Sequence, residues 1–313
     1  MDIIISAIIC TRNRQHLVEK AAKSLLDQTL DKDLYEILVV DNNSSDGTKK
    51  IIKKLARDHA NLIYVFEPTL GIAAARNKGW PLAKGQYIAW LDDDAIASPN
   101  WLEMIVKRFD SLDETVGDVG GKIDPIWEVP PPAWLTLGMK RSLTIVDWSD
   151  TPHVLKENEW LAAANIAHRK SVIERLQGFN PRLGRKGDVL LCSLENYIAM
   201  QMKKMGLKSF YDPAIHVRHF IPKERLQKEW FYKRSFWQGV SEAIIKTDLE
   251  QLSTEDRLRA AANYASKQFN PVGWLRHMLT ETEEASDVEK KIWAIKRSGY
   301  MYGLLKGEKP ESG

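Results

Sequence analysis

Residues 3–10 read Ile-Ile-Ile-Ser-Ala-Ile-Ile-Cys and stop at Thr11-Arg12-Asn13-Arg14. A short, almost wholly apolar run of this kind predicts a central strand with both faces covered. Such a strand needs helices on either side, so the run constrains the rest of the fold to a parallel sheet with helical crossovers. Residues 16–28 supply the first crossover, with Leu17, Ala21 and Leu25 at helical spacing. A second apolar run over 36–40 follows and ends in the turn cluster Asp41-Asn42-Asn43-Ser44-Ser45-Asp46-Gly47. Residues 48–58 place Ile51, Ile52 and Leu55 on one face of a helix. Leu62–Phe66 reads as a third strand, 71–84 as a helix, and 87–91 as a fourth strand that runs into Asp92.

In such sheets, ligands bind outside the carboxyl ends of the strands. The first, second and fourth strands end there in Thr11-Arg12-Asn13, Asp41-Asn42-Asn43 and Asp92-Asp93-Asp94. Beyond residue 125 the pattern changes. The segment 125–134 holds Pro125, Pro130, Pro131 and Pro132 with Trp127 and Trp134, and predicts an extended or looped chain. Residues 160–168 read as a strand, 195–206 as a helix, and 208–211 and 215–219 as two short edge strands. From about 222 helical composition dominates, with interruptions near Pro271 and Gly273, and 306–313 reads as disordered.

Composition excludes several classes. Lys plus Arg number 45 against 42 Asp plus Glu, and the net +3 is too small to argue for nucleic acid. Two cysteines, Cys10 and Cys192, rule against a disulfide framework and fit a reducing compartment. No apolar run reaches the ~18 residues of a membrane span. The N-terminal run has no basic stretch before it and no small-residue cleavage site after it, so a cytoplasmic protein, possible at a membrane only peripherally, is expected.

The sharpest chemical feature is Asp92-Asp93-Asp94. Adjacent carboxylates at the base of a buried strand repel one another and call for a cation or donors. Mg2+ or Mn2+, hard cations that bridge phosphates, suit them; the alternative is a solvated turn. Asp41 suits a nucleobase or ribose, or equally a turn cap. Arg76, in the small-residue stretch Gly71-Ile72-Ala73-Ala74-Ala75, suits a base or phosphate, although a surface arginine is the commoner reading. Glu195, at a helix start, suits a general base, although from spacing alone an ordinary first-turn glutamate is the favoured reading. His219 suits a metal; His216 and His219 together are more often structural. The aromatic and cationic stretch 230–237 suits helix packing first and a membrane interface second.

Taken in order, these segments resemble the family 2 glycosyltransferases of the GT-A fold. The residues that carry the resemblance are 7–14, 39–48, 71–79, Trp90-Leu91-Asp92-Asp93-Asp94, 163–167, 178–185, and Tyr211-Asp212-Pro213 with His219. It spans about residues 3–240. It implies a Rossmann-like, mostly parallel sheet flanked by helices: a catalytic domain over 1–222, with a nucleotide-binding half to about 100 and an acceptor half beyond it, then a helical extension over 223–313. It implies Thr11, Arg12, Asn13, Asp41 and Arg76 on the nucleotide, Asp93 on the ribose or the metal with Asp92, the first residue of the DxD pattern, contributing, and Asp94 and His219 on the metal, Mn2+ or Mg2+. The family's acidic pair falls on Leu194-Glu195, so its first acid is missing and Glu195 stands as the base, with Asp188 and Glu174 in reserve. The implied activity is inverting transfer from a nucleoside-diphosphate sugar, a UDP-sugar by preference, to a carbohydrate or lipid-linked hydroxyl in polysaccharide or glycolipid assembly. A nucleotidyltransferase would need a glycine-rich loop that Thr11-Arg12-Asn13-Arg14 lacks. A noncatalytic binding protein of the same fold has only Leu194 in its favour.

Overall fold

The computed structural model describes residues 2–187, 189–268, 271–279 and 284–306; Asp188 and the tail beyond Lys306 lie outside them. Its contacts form two compact units, Met1–Ile126 with Thr144–Asn180 and Glu195–Phe220, and Trp127–Leu143 with Pro181–Leu194 and Ile221–Gly313.

The first unit is built on β1 (Ile5–Thr11), α1 (Gln15–Leu26), β2 (Tyr35–Asp41), α2 (Thr48–Asp58), β3 (Leu62–Phe66), α3 (Ile72–Gly79), β4 (Tyr87–Trp90), β5 (Ala95–Ala97), α4 (Trp101–Asp110) and β6 (Val116–Trp127). After α5 (Leu137–Ser142), which belongs to the second unit, come β7 (His153–Val154), β8 (Ile166–Arg169), α6 (Lys170–Arg175), α7 (Leu194–Lys204) and β9 (Lys208–Ile221). The strands form one sheet in the order β3-β2-β1-β4-β8-β6-β9-β5, with β7 on β9. β1 is parallel to β2 and β4, and β2 to β3. β8 runs antiparallel to β4 and β6, and β9 antiparallel to β5. The apolar run at the N-terminus is therefore an interior strand, and Ile5, Ala7, Ile8 and Ile9 are fully buried, as a strand between helical layers must be.

Three local readings change. Residues 208–211 and 215–219 are not two edge strands but parts of the single β9, which lies between β6 and β5. The Asp212 carboxylate accepts from the Ala214 N–H at 2.9 Å, bridging the proline between them, and is held in turn by Arg108 at 2.6 and 2.8 Å. Gly121 of β6 lets the backbones close: a Cβ there would stand 2.0 Å from the Ile215 carbonyl oxygen. Residues 160–168 hold a strand only from Ile166. Asn165 supplies the missing bonds with its side chain, donating to the carbonyls of Lys122 (3.0 Å) and Ile215 (2.7 Å) and accepting from the Trp101 indole N–H (2.7 Å). The helix expected over 71–84 stops at Gly79, where Pro81 turns the chain into a 3-10 turn.

In the second unit, the described part of the C-terminus is helical: α8 (Lys228–Glu250), α9 (Thr254–Gln268), α10 (Pro271–Leu279) and α11 (Ala285–Lys306). α8 and α11 cross at Gly239 and Gly299, where an added Cβ would stand 2.0 Å from the carbonyl oxygens of Lys296 and Phe236. Phe231 is buried and packs edge-on against Trp134 and Trp230, so these aromatics serve helix and loop packing. Among the described residues, no helix is long and apolar enough to cross a membrane.

Candidate active site

Parallel register decides which side chains meet. Thr11 pairs with Asp41, and Ile8 with Trp90, so the loops after β1, β2 and β4 leave the sheet at one edge. The antiparallel β5–β9 pair brings a fourth element. Ala95 faces His219 in register, and the Phe220 N–H donates to the Asp94 carbonyl at 2.8 Å. His219 thereby arrives with Nε2 3.0 Å from Asp94 Oδ1.

Asp92, Asp94 and His219 each offer one ligand atom, and the three atoms lie within 4.8 Å of one another. Asp94 and His219 are buried, and among the described residues His219 Nδ1 has no hydrogen-bond partner. Two carboxylates and one imidazole at this spacing fit a divalent cation of the Mg2+ or Mn2+ kind.

The first counter-charge at the cluster is Arg14, at the start of α1. Its Nη1 donates to Asp93 Oδ1 at 3.0 Å and to Asp94 Oδ2 at 2.7 Å. Asp93 also accepts the Thr11 hydroxyl at 2.7 Å. Burial pushes the Asp93 carboxyl up to about 6; Arg14 opposes this, while Asp94 and Asp92 add to it. Burial and then Asp94 raise Asp92 as well. Asp93, above all, raises the Arg14 guanidinium further. A site in which carboxylates resist ionisation is one that a bound cation stabilises strongly. Sequence reasoning does not single out Arg14: Arg12 and Arg14 share one motif, and only the turn at Asn13 (φ 54°) decides that Arg14 meets the carboxylates while Arg12 is exposed.

Away from the carboxylates, Asp41 is held at both oxygens. Oδ1 accepts the Ser44 N–H at 2.9 Å and Oδ2 the Tyr64 hydroxyl at 2.7 Å. The turn-cap reading of Asp41 is thus realised, and Tyr64, two residues from the end of β3, is a second residue that the sequence does not disclose. Asn13 ties the β1 loop to the β2 loop: its N–H donates to Ser44 Oγ at 2.9 Å and its Oδ1 accepts the Ser45 N–H at 2.7 Å.

Glu195 stands in the first turn of α7, and its Oε1 accepts from Arg76 Nη1. Arg76, the cation that the resemblance places on the nucleotide, is 4% exposed and lies over the rings of Trp90 (5.3 Å) and Phe179 (5.1 Å). Glu195 and Arg76 both act electrostatically on Asp92, so this pair adjoins the carboxylate cluster. Cys10 lies in the same neighbourhood; burial pushes its thiol up to about 12, which leaves it inert as a nucleophile. His216 stands apart, its ring bonded to Ser98 Oγ at 2.9 Å and Asp124 at 3.0 Å. Glu174 is on α6, 3.7 Å from Lys170, one turn away on the surface.

The arrangement collects carboxylates and an imidazole for a cation at the carboxyl edge of a sheet, with an ion-paired carboxylate beside them. The glycosyl transferase family 2 model matches residues 6–162, the stretch that holds Thr11, Arg14, Asp41, Arg76 and the three aspartates. The chain belongs to family 2 of the glycosyltransferases. Over 96% of its length and 96% of the relative's, it is 25% identical to the glucosyl-dolichyl phosphate glucuronosyltransferase of Haloferax volcanii. Over 29% of each chain it is 41% identical to the GalNAc(5)-diNAcBac-PP-undecaprenol beta-1,3-glucosyltransferase of Campylobacter jejuni. Its fold is that of a Pyrobaculum calidifontis mannosyltransferase solved with GDP-Man and Mn2+ (TM-score 0.59, 19% identity, 98% of this chain and 87% of that one). It is also that of S. aureus TarS residues 1–349 solved with UDP (TM-score 0.55, 15% identity, 97% and 91%). Membership of family 2 thus accounts for the α/β sheet that brings these carboxylates and the imidazole together.

Proposed function

We propose that this glycosyltransferase moves a sugar from a UDP-sugar to a hydroxyl of a lipid-linked saccharide, inverting the anomeric centre, with Glu195 as the base and Mn2+ at Asp92, Asp94 and His219. The observation that carries this reading is that Glu195, on a helix far along the chain, adjoins the cation-type cluster through Arg76 and Asp92.

Asp41, fixed by Ser44 and Tyr64, presents a carboxylate of set orientation to the nucleobase or ribose. Thr11 and Arg12 flank it on the nucleotide side. Asp93, fastened by Thr11 and Arg14, holds the floor of the diphosphate site. When bound, the divalent cation offsets the negative charge that grows on the departing diphosphate. Glu195 takes the proton from the acceptor hydroxyl as its oxygen attacks. One base and one displacement give inversion. The lipid-linked acceptor is supported by the relatives named for dolichyl phosphate and undecaprenol acceptors. An acceptor of that kind brings the enzyme to a membrane surface as a peripheral visitor.

Calorimetric titration with UDP, GDP, CDP and dTDP, each with and without Mn2+, tests the donor site. Tight, metal-dependent binding of UDP that disappears in Asp94→Ala supports the reading. Preference for GDP corrects the donor, and no binding by folded protein to any of the four overturns the site.

A further inference from the structure

Arg76 is poorly placed for the nucleotide role that the family resemblance implies. Its guanidinium is 4% exposed and lies against the faces of Trp90 and Phe179. Trp90 is the last residue of β4 and almost fully buried, and the Phe179 ring meets it edge-on at 5.2 Å. The Asn77 side chain clamps the Phe179 backbone in both directions, donating to its carbonyl and accepting its N–H, each at 2.8 Å. Gly178 makes that clamp possible: it sits at φ +88°, and an added Cβ would stand 2.5 Å from Asn77 Oδ1. The wall around Arg76 is therefore rigid, and a guanidinium in it has little freedom to swing towards a ligand.

What Arg76 does reach is Glu195 Oε1. Glu195 is the second residue of α7, which begins at Leu194 just after Ser193, a residue with a left-handed φ of 67°. A glutamate in the first turn of a helix after such a bend has several rotamers open to it. We infer that Arg76 is a positioning residue for Glu195: it fixes one carboxylate oxygen so that the other, Oε2, takes the acceptor proton. This rests on the reading of Glu195 as the base. It gives the missing first acid of the Leu194-Glu195 pair a physical counterpart, since orientation that a neighbouring side chain would otherwise help to supply comes here from a buried cation on α3. The guanidinium suits the task because its planar fork is held by stacking while it donates.

The two roles for Arg76 predict different kinetics. A nucleotide-holding arginine, once removed, raises the Kd for UDP and the donor KM. A positioning arginine, once removed, lowers kcat by about 10²-fold, the scale of a misplaced catalytic group, and leaves the UDP Kd unchanged. The experiment measures UDP affinity by calorimetry and transfer rate under saturating donor for wild type, Arg76→Lys, Arg76→Met, Glu195→Asp, Glu195→Gln and Arg76→Met/Glu195→Gln. The expected result is unchanged UDP affinity throughout, a kcat loss that Arg76→Lys partly restores, and no further loss in the double variant beyond Glu195→Gln alone. If Arg76→Met fails to fold, Arg76→Lys and Glu195→Asp carry the test, since both keep the charges and shift only the geometry. A UDP Kd that rises in step with the lost kcat/KM, or a kcat that does not change, overturns the inference. Wild-type protein that binds no nucleotide would instead remove the donor site, and this inference with it.

Discussion

Arg14 Nη1 lies 2.7 Å from Asp94 Oδ2 and 3.0 Å from Asp93 Oδ1, so one guanidinium neutralises two buried carboxylates of the cluster proposed to hold a divalent cation. The consequence for Arg14→Met has two parts. Without metal, the carboxylates lose their counter-charge, and breaking a buried pair costs about 3–5 kcal/mol. Arg14 is 33% exposed, so solvent screening lowers the expected loss to about 1–2 kcal/mol. With Mn2+ present, the cation supplies the missing charge, and Arg14 no longer competes for Asp94. Thermal melts should therefore show a lower Tm for Arg14→Met than for wild type without metal and a larger Mn2+-induced rise. An equal Mn2+ response in both proteins would show that Arg14 and the metal do not share Asp94.

Asp94 and His219 come from different elements, and only the β5–β9 register brings them to 3.0 Å. Asp94→Ala and His219→Ala should each weaken Mn2+-dependent nucleotide binding. Each should also lower kcat, by about 10²–10³-fold if the charge that the site stabilises grows in the transition state. Metal-independent binding should change little. A chelator titration on wild type should reproduce the same loss without any substitution, and unimpaired transfer in excess chelator would count against the metal.

Glu195→Gln keeps the shape of the side chain and a hydrogen-bond partner for Arg76 but cannot accept a proton. It should cut transfer by about 10²–10⁴-fold, the range for one general base, with nucleotide affinity preserved. Activity near wild type would pass the role to another carboxylate; Glu174 is a poor candidate because it lies on the surface beside Lys170.

Much of this was legible in the sequence because burial and turn chemistry are local. The run at 3–10 declared an interior strand, and helix α2 runs over 48–58 as its spacing predicts. The carboxyl-edge clusters at Thr11, Asp41 and Asp92–Asp94 follow from parallel register alone. What was not legible depends on contacts between distant segments. Arg14 and Arg12 look alike until Asn13 adopts positive φ. The pairing of Arg76 with Glu195 spans positions whose local patterns carry no sign of one another. Strand β9 read as two pieces because Pro213 interrupts the apolar pattern, and its continuity depends on Arg108 and Gly121, neither of which is adjacent in sequence.

Asp118 of β6 and His168 of β8 are register partners, both almost fully buried, with His168 Nε2 3.8 Å from Asp118 Oδ2. Burial pushes the Asp118 carboxyl from 3.8 up to about 7. It pushes the His168 imidazole from 6.5 down to about 3. Taken alone, Asp118 binds more protons folded than unfolded between about 3.8 and 7, so its contribution falls as pH rises through that window. His168 alone binds fewer protons folded than unfolded between about 3 and 6.5, so its contribution rises with pH there. From 3.8 to 6.5 the two slopes oppose: on folding, the proton that the imidazole gives up is matched by the one the carboxyl takes up. The Tm of wild type should accordingly be flat with respect to this pair over that interval. Asp118→Asn unmasks the histidine, and its Tm should climb as pH rises towards 6.5. His168→Gln unmasks the carboxyl, and its Tm should decline as pH rises towards 7. Melts of the three proteins across this range decide the matter: parallel pH profiles would mean that neither the carboxyl nor the imidazole changes its proton affinity on folding.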